Sequence, residues 1–278
     1  VGAPDLLLNQ VSSRVASTLG NSIYVGGYGL FLTFTAFLLM IREKNKGFWF
    51  FAEIIMGLMA ILGAFFSGSR GSMLGLLAGV VVSIIGYIIV LKDYKRIRIS
   101  LVGVLVLLAV LVGLLISFRK TQFVGNLPAV GRTVNTSFAI LKNSPRWIAW
   151  EIAIESWKER PIFGWGPNNY YFAFNKYYRP EFLEHGWGET WFDNAHSAIF
   201  NTLAVQGLVG LLTYLALFAV SVFCLWRAWK SGRVDKHVFV ISSAFLVGHF
   251  VHNSTVFENP TSYLYFFFFL AFVNSQLV

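Results

Sequence analysis

Residues 99–117, ISLVGVLVLLAVLVGLLIS, decide the fold class of this chain, because every residue in the stretch is apolar or small. A helix that spans a membrane needs about 20 mostly apolar residues, and this stretch meets that length. Further segments of this kind occupy residues 23–41, 48–66, 72–91, 197–225, 238–256 and 261–278. The sequence therefore predicts an all-α integral membrane protein, a multi-pass helical bundle with about seven spanning helices.

The overall composition agrees with this fold class. Of the 278 residues, 56% are hydrophobic and 13% are charged, whereas soluble domains carry about 25% charged residues. The single cysteine, Cys224, excludes an intrachain disulfide. Because residue 1 is not Met and no signal-peptide pattern follows it, we expect an N-terminal part with further helices to precede this sequence.

The net charge of +9 raises the question of nucleic acid, and the positions of the charges answer it. Half of the 22 basic residues lie in three short loops, 42–47, 92–98 and 226–237. Short loops rich in Lys and Arg remain on the cytoplasmic side, so these residues anchor the topology among membrane lipids. We therefore expect no nucleic-acid partner.

This orientation divides the chain into three parts. Residues 1–117 hold an outer N-terminal segment (1–22) and the first four spanning helices, residues 118–196 form an extracytoplasmic helical loop domain, and residues 197–278 hold the last three helices. Within the loop, Ser144 and Pro145 are typical of a helix start, and Pro161 ends the helix. Its tryptophans and one isoleucine recur at helical spacing and predict an amphipathic helix over 144–159: Trp147, Trp150, Ile154 and Trp157. Small residues in the spans predict close helix–helix contact: Gly26, Gly27, Gly75, Gly79 and Gly86.

Two arginines stand on the outer side, where the positive-inside rule depletes them. Arg14 precedes the first helix, and Arg70 lies in a short loop that cannot rise far from the membrane. Each could extend to lipid phosphates at the interface, or the two could bind a diphosphate through bidentate hydrogen bonds. Arg146, at the start of the amphipathic helix, is either a third cation for the same site or an ordinary surface charge.

His196 closes the long loop immediately before a long helix. An isolated histidine is commonly structural, but a neutral imidazole at the outer surface could accept a proton from a hydroxyl. A helix N-terminus would lower its pKa and keep it neutral. The sequence shows no HExxH motif, no Asp-x-Asp pair and no Cys/His metal spacing, so we expect no metal and no cofactor. Ionisable residues are also scarce in the spans, which is unlike an ion-coupled transporter.

Four ordered pieces of the chain carry a family resemblance. They are Arg14 with Gly20-Asn21, Ser69-Arg70-Gly71, the stretch 161–168 (PIFGWGPN), and Asp193-Asn-Ala-His196-Ser197 with Gly207-x-x-Gly210. Arg146-x3-Trp150 is similar to a further element. With this set, the chain resembles the O-antigen ligase and Wzy-type polymerase superfamily of bacterial membrane glycosyltransferases.

The resemblance implies a protein of the inner (plasma) membrane of a bacterial cell, with its active site facing the periplasm. It implies an enzyme that needs no metal and moves a glycan from undecaprenyl diphosphate to a sugar or protein hydroxyl outside the membrane, with inversion at the anomeric carbon. It implies that Arg14 and Arg70 stabilise the leaving diphosphate, with His196 as the general base, and we expect these side chains to converge on one site. The same matching motifs predict the substrate-binding residues Arg146, Asn21, Trp165, Asn168, Asp193 and Ser197. The aromatic residues of the loop, including Trp165, could stack on sugars or form an interfacial belt.

The resemblance leaves the acceptor open. A sugar of the lipid A core would make the protein a ligase, the growing glycan a polymerase, and a protein Ser or Thr an O-oligosaccharyltransferase. The rival interpretation is a non-enzymatic membrane protein, either a transporter of lipid-linked glycans or a scaffold that binds diphosphate through its arginines.

Overall fold

The structure, a computed structural model, describes residues 14–277 apart from the side chains of Phe138 and Trp187. The first thirteen residues of the predicted outer segment 1–22 lie outside this range. Every regular element in the described range is a helix, which confirms the predicted fold class. The α-helices are α1 (Ser22–Arg42), α2 (Phe48–Phe66), α3 (Arg70–Val90), α4 (Lys95–Ser117), α5 (Gln122–Asn126), α6 (Val130–Val134), α7 (Phe138–Lys142), α8 (Pro145–Glu159), α9 (Tyr170–Lys176), α10 (Ala198–Lys230), α11 (Lys236–Asn253) and α12 (Pro260–Leu277).

Each of the seven predicted apolar segments forms a long helix. Five of the helices in the described range, α1 to α4 and α10, are long and apolar enough to cross a membrane. The remaining two, α11 and α12, have 18 residues each, and their role as spans stays a prediction. The architecture is that of a multi-pass helical membrane protein.

The described chain divides into two compact units. The first unit comprises residues 14–135, 221–252 and 259–277, which include α1 to α6, α11 and α12. The second unit comprises residues 136–220 and 253–258, with α7 to α9 and the first part of α10.

Small residues set the helix spacing in the first unit, as the sequence predicted. A Cβ atom added at Gly26 of α1 would collide with Ser72 Oγ of α3. One added at Gly75 would lie 2.6 Å from the main-chain oxygen of Gly248 in α11. Helices that lack a hydrophobic driving force in lipid gain stability from this close approach of their backbones.

The core of the second unit forms around α8. Ser144 caps the helix, since its Oγ accepts a hydrogen bond from the Trp147 amide at 3.4 Å, so the predicted start is confirmed. The predicted apolar stripe consists of half-buried residues, Trp147, Trp150, Ile154 and Trp157, of which Trp150 packs against the core. The buried residues of this helix are instead Ile148, Ala149, Ile152, Ala153 and Ser156.

The physical reason is that the small side chains of this face allow close packing. Tyr170 of α9 reaches the backbone there and donates from its hydroxyl to Ala149 O at 2.7 Å. Meanwhile Trp147 and Trp157 place their indole N–H groups on partners outside the core, Glu151 Oε1 and Pro161 O. An indole N–H needs such a partner, which favours the half-exposed positions.

Ion pairs join α8 to the end of α9 and to the segment that follows it. Arg179 contacts Glu151 at 2.5 Å and Glu155 at 3.2 Å, and Lys176 contacts Glu159 at 2.6 Å. These side chains are all partly exposed, and exposed pairs contribute only about 0–1 kcal/mol each. The buried aromatic side chains of Phe174, Phe182 and Phe192 therefore contribute more to this unit than the ion pairs do.

Candidate functional site

The predicted site residues fall into two groups, one in each unit. The first unit contains Arg14, Asn21 and Arg70. The second unit contains Arg146, Trp165, Asn168, Asp193, His196 and Ser197.

Arg14 lies against the turn that joins α2 to α3. Its Nε donates to the Ser67 carbonyl oxygen at 3.0 Å, and the neighbouring Val15 amide donates to Phe66 O at 3.2 Å. Two consecutive residues before α1 are therefore held on the same turn. This placement brings Arg14 close to Arg70, the first residue of α3.

A third arginine joins this pair. Arg132 of α6 donates from Nη1 to the Gly68 carbonyl oxygen at 3.1 Å, on the same turn. Burial lowers the pKa of Arg14, and the positive charges of Arg132 and Arg70 lower it further. The usual value is so high that the group keeps its charge at neutral pH. Three cations held within electrostatic range of one another favour the binding of an anion. We call Arg14, Arg70 and Arg132 the arginine cluster.

Gly68 shapes the turn under the arginine cluster. Its φ is +63°, a conformation that costs an L-residue about 1–2 kcal/mol. A Cβ atom at this position would also lie 2.9 Å from Arg14 Cγ. Only glycine combines this backbone shape with space for the Arg14 side chain.

Asn21 has a structural task. It is the N-cap of α1, and its Oδ1 accepts a hydrogen bond from the Ile23 amide at 2.9 Å. Such a cap stabilises a helix by about 1 kcal/mol. The predicted substrate contact of Asn21 stays a prediction.

His196 is fixed by its own loop and by two aromatic rings. Its backbone is in the left-handed region, with φ of +52°, and its amide donates to Asn194 Oδ1 at 2.9 Å. The ring centroids of Phe192 and Phe257 lie 4.6 and 5.2 Å from that of the imidazole. The Nδ1 atom lies 3.3 Å from the main-chain oxygen of Asn194.

The electrostatic surroundings keep this imidazole neutral. Burial lowers the pKa of His196, and the positive charge of Arg146 lowers it further. The carbonyl of Asn194 and the carboxylate of Asp193 oppose this, but the net direction is downward. The lowered pKa was expected from a helix N-terminus, whereas here burial is the largest cause.

Arg146 lies on the same side of the second unit as the loop 253–258. Its Nη1 donates to the Thr255 carbonyl oxygen at 3.2 Å. The next two residues of the loop contact the start of α10 and the histidine. Val256 O accepts a hydrogen bond from the Ala198 amide at 2.8 Å, and the ring of Phe257 packs on His196. The loop thus connects Arg146, His196 and the start of α10.

Asp193 and Ser197 flank the histidine differently. Asp193 is exposed, and its Oδ1 accepts from Asn194 Nδ2 at 2.8 Å. Ser197 is buried, and within residues 14–277 its Oγ meets no hydrogen-bond partner. A buried hydroxyl left unsatisfied costs about 1–3 kcal/mol.

The two glycine-containing motifs of the second unit meet at a break in α10. At Gly207 the backbone leaves the helical conformation, with φ of 67° and ψ of −162°. The freed amides of Leu208 and Val209 donate to Pro161 O at 2.8 Å and Ile162 O at 3.2 Å. In return, Ala204 O and Val205 O accept from the amides of Trp165 and Gly166, at 3.0 and 2.7 Å.

Trp165 and Asn168 belong to the turn held at this break. The Trp165 indole donates to Ser156 O at 2.9 Å, and the guanidinium of Arg160 lies 4.3 Å from the centroid of its ring. Asn168 is exposed, with φ of +61°. The Trp165 ring therefore already contacts two cations, since Lys176 Nζ also lies 5.3 Å from its centroid.

Sequence reasoning missed several residues of both groups. Arg132 had no distinguishing feature in the sequence among the cations of the long loop. Phe257 is 61 residues from His196 in sequence, so no local pattern links the two. Asn194 lies two residues before His196, but the sequence did not show that its side chain and carbonyl oxygen both contact His196. These contacts depend on the left-handed backbone of the histidine.

The side chains that usually hold metals do not cluster in the described part of the chain. No group of three or more His, Cys, Asp or Glu residues among them could hold a metal ion.

A comparison with protein-family models identifies the family of this chain. Residues 54–215, more than half of the chain, match the model of the family described as O-antigen ligase. The matched range includes Arg70, Arg132, Arg146 and His196. A search of curated proteins finds no match to the chain.

Proposed function

Because this chain belongs to the O-antigen ligase family, we propose that it transfers a glycan from undecaprenyl diphosphate to a hydroxyl group at the outer side of the inner membrane. The single observation that carries this proposal is the arginine cluster, in which cations from three separate segments meet at the turn between α2 and α3. The neutral His196 supports the other half of the reaction.

The arginine cluster binds the diphosphate of the donor. When the glycan leaves, the bond between the anomeric carbon and the phosphate oxygen breaks, and the oxygen keeps the electron pair. The negative charge on the diphosphate grows in this step, so fixed cations stabilise the transition state more than the ground state. Guanidinium groups suit this task because they offer paired N–H donors to phosphate oxygens.

His196 accepts the proton of the acceptor hydroxyl. The main-chain oxygen of Asn194 can only accept a hydrogen bond, so the proton of the neutral ring lies on Nδ1 and the lone pair on Nε2. As the acceptor oxygen bonds to the anomeric carbon, its proton moves to Nε2. A single displacement of this kind inverts the anomeric configuration.

The reaction as proposed uses no metal ion, because the arginine cluster supplies the positive charge that a divalent ion would otherwise provide. Burial lowers the pKa of His196 most, and the charge of Arg146 adds to this effect, so the imidazole stays neutral. We assign contacts with the sugars to the exposed Asn168 and Asp193 and to Trp165, and we assign supporting roles to Asn21 and Ser197. In this scheme, residues 118–196 form the extracytoplasmic loop domain between the helices of 1–117 and 197–278.

The acceptor is the saccharide of a lipid A core in a ligase, or the growing glycan in a polymerase. A protein hydroxyl is the alternative, and it would make the protein an O-oligosaccharyltransferase. The experiment reconstitutes purified full-length protein in vesicles with a radiolabelled glycan on undecaprenyl diphosphate and each acceptor class in turn, in EDTA. We expect label on one saccharide acceptor. Label on a protein would select the alternative, strict dependence on added Mg²⁺ or Mn²⁺ would contradict the metal-free step, and no transfer to any acceptor would favour a transporter or scaffold.

A further inference from the structure

Two exposed apolar residues lie shortly after α8 in the second unit. Phe163 is 74% exposed and Ile162 is 58% exposed, and they lie between Pro161 and Gly164. No other part of the second unit that the structure describes covers these two large apolar side chains. Such exposed apolar surface marks a site of contact with a membrane or a partner.

The turn that bears this pair is fixed on α10. The carbonyl oxygens of Pro161 and Ile162 accept hydrogen bonds from Leu208 and Val209, immediately after the break at Gly207. A Cβ atom at Gly164 would lie 2.5 Å from the backbone of Val205, so the two backbones are in direct contact. The height of Ile162 and Phe163 relative to the bilayer is thus set by the height of Gly207.

The position of Gly207 along α10 gives that height. The last turn of this helix carries Arg227 and Lys230, which the loop charges place on the cytoplasmic side. About 20 helical residues cross the hydrocarbon core. Counting that number back from Arg227 reaches Gly207, so the turn lies at the outer boundary of the hydrocarbon core.

The same surface continues onto the helix. Leu208, Val209 and Leu212 of α10 are exposed and apolar. The amides of Leu208 and Val209 are the ones bonded to the turn, and Leu212 lies one helical turn further on. The apolar face of a helix that spans the membrane is covered by lipid, and Ile162 and Phe163 extend that face. Because the exposed pair continues the lipid-facing surface of α10, we expect the acyl chains of the surrounding phospholipids to contact it.

We propose that Ile162 and Phe163 insert into the outer leaflet and contact phospholipid acyl chains, so that the second unit is anchored in the membrane by a loop as well as by α10. Side chains of interfacial elements reach about 5–10 Å into the boundary between headgroups and acyl chains. This lipid contact is separate from glycan transfer and does not depend on the proposed reaction.

The single cysteine makes the test direct. In a Cys224→Ser background, Phe163→Cys carries a nitroxide spin label, and the protein is reconstituted in vesicles of phosphatidylethanolamine and phosphatidylglycerol. Collision rates are measured with molecular oxygen, which concentrates in hydrocarbon, and with a water-soluble nickel chelate. Leu183→Cys is the matched control, because Leu183 is 63% exposed in the same unit and has Glu181 and Glu184 beside it.

We expect the label at 163 to show a several-fold lower nickel collision rate and a higher oxygen collision rate than the label at 183. A nickel collision rate equal to that at 183 would overturn the proposal, and so would shielding from both reagents, which means burial in protein. Ile162→Cys tests the same surface with Phe163 intact, so the result does not depend on one variant folding. The proposal requires low nickel and high oxygen collision rates there as well.

Discussion

The Nδ1 atom of His196 lies 3.3 Å from the main-chain oxygen of Asn194, two residues earlier in the chain. Because a carbonyl oxygen only accepts hydrogen bonds, this contact places the ring proton on Nδ1 and leaves Nε2 as the basic atom. The amide of His196 bonds to the side chain of the same Asn194 at 2.9 Å, so one residue fixes both the backbone and the ring. The account of this protein as a glycosyltransferase depends on that basic atom and on the arginine cluster.

Removal of Arg132 tests the member of the arginine cluster that the sequence did not reveal. We expect Arg132→Ala to lower the transfer rate by about 10²–10³-fold, comparable to the loss of one preorganised donor in other enzymes. Arg119→Ala is the control, since this exposed arginine follows α4 and its predicted effect is small. Initial rates at several donor concentrations provide the measurement, and equal rates for the two variants would remove Arg132 from the site.

The turn under the arginine cluster can be tested through its glycine. Gly68→Ala and Gly20→Ala each place alanine at positive φ, at about 1–2 kcal/mol. Only the Cβ atom at residue 68 meets Arg14, whereas the one at residue 20 meets nothing within 4 Å. We therefore expect similar losses of thermal stability and a reduced affinity for the donor in Gly68→Ala alone. Equal donor affinities would contradict the role given to this turn.

The pH dependence of transfer follows from the lowered pKa of His196. A base must be neutral to accept a proton, so the rate rises as the pH rises through that pKa, below about 6.5, and is level above it. Removing the nearby positive charge in Arg146→Met raises the pKa and moves the midpoint up. Removing the negative charge in Asp193→Asn moves it down. Rate–pH profiles of the two variants check this, and shifts in the same direction would be inconsistent with His196 as the base.

The break in α10 predicts a stability effect. Gly207 has a backbone conformation nearly restricted to glycine, worth about 1–3 kcal/mol, and a Cβ atom there would collide with Ile162 O. We expect Gly207→Ala to lower the melting temperature clearly in detergent. Gly103→Ala is the control, because residue 103 lies in α4 with open space around it. A Gly207→Ala protein as stable as the Gly103→Ala protein would mean that the turn is not held at this break.

The sequence predicts the helices well because apolar runs alone determine them, as in α2, whose bounds Phe48–Phe66 agree with the predicted 48–66. It singles out His196 and Arg70 as candidates because each stands out against an apolar or weakly charged neighbourhood, and their roles in the reaction stay predictions. Contacts between residues far apart in the sequence leave no local pattern that could predict them. Examples are the hydrogen bond of Arg132 to Gly68 and the packing of Phe257 on His196. The buried face of α8 did not stand out in the sequence, because the large apolar tryptophans dominate the pattern, yet their N–H groups favour half-exposed positions.

The most direct test of the central claim is the initial rate of glycan transfer from undecaprenyl diphosphate by purified full-length His196→Ala protein. With its fold verified by circular dichroism, we predict a rate about 10²–10⁴-fold below that of the unsubstituted protein, the usual contribution of a general base. A His196→Ala protein that transfers glycan at the unsubstituted rate would contradict the account.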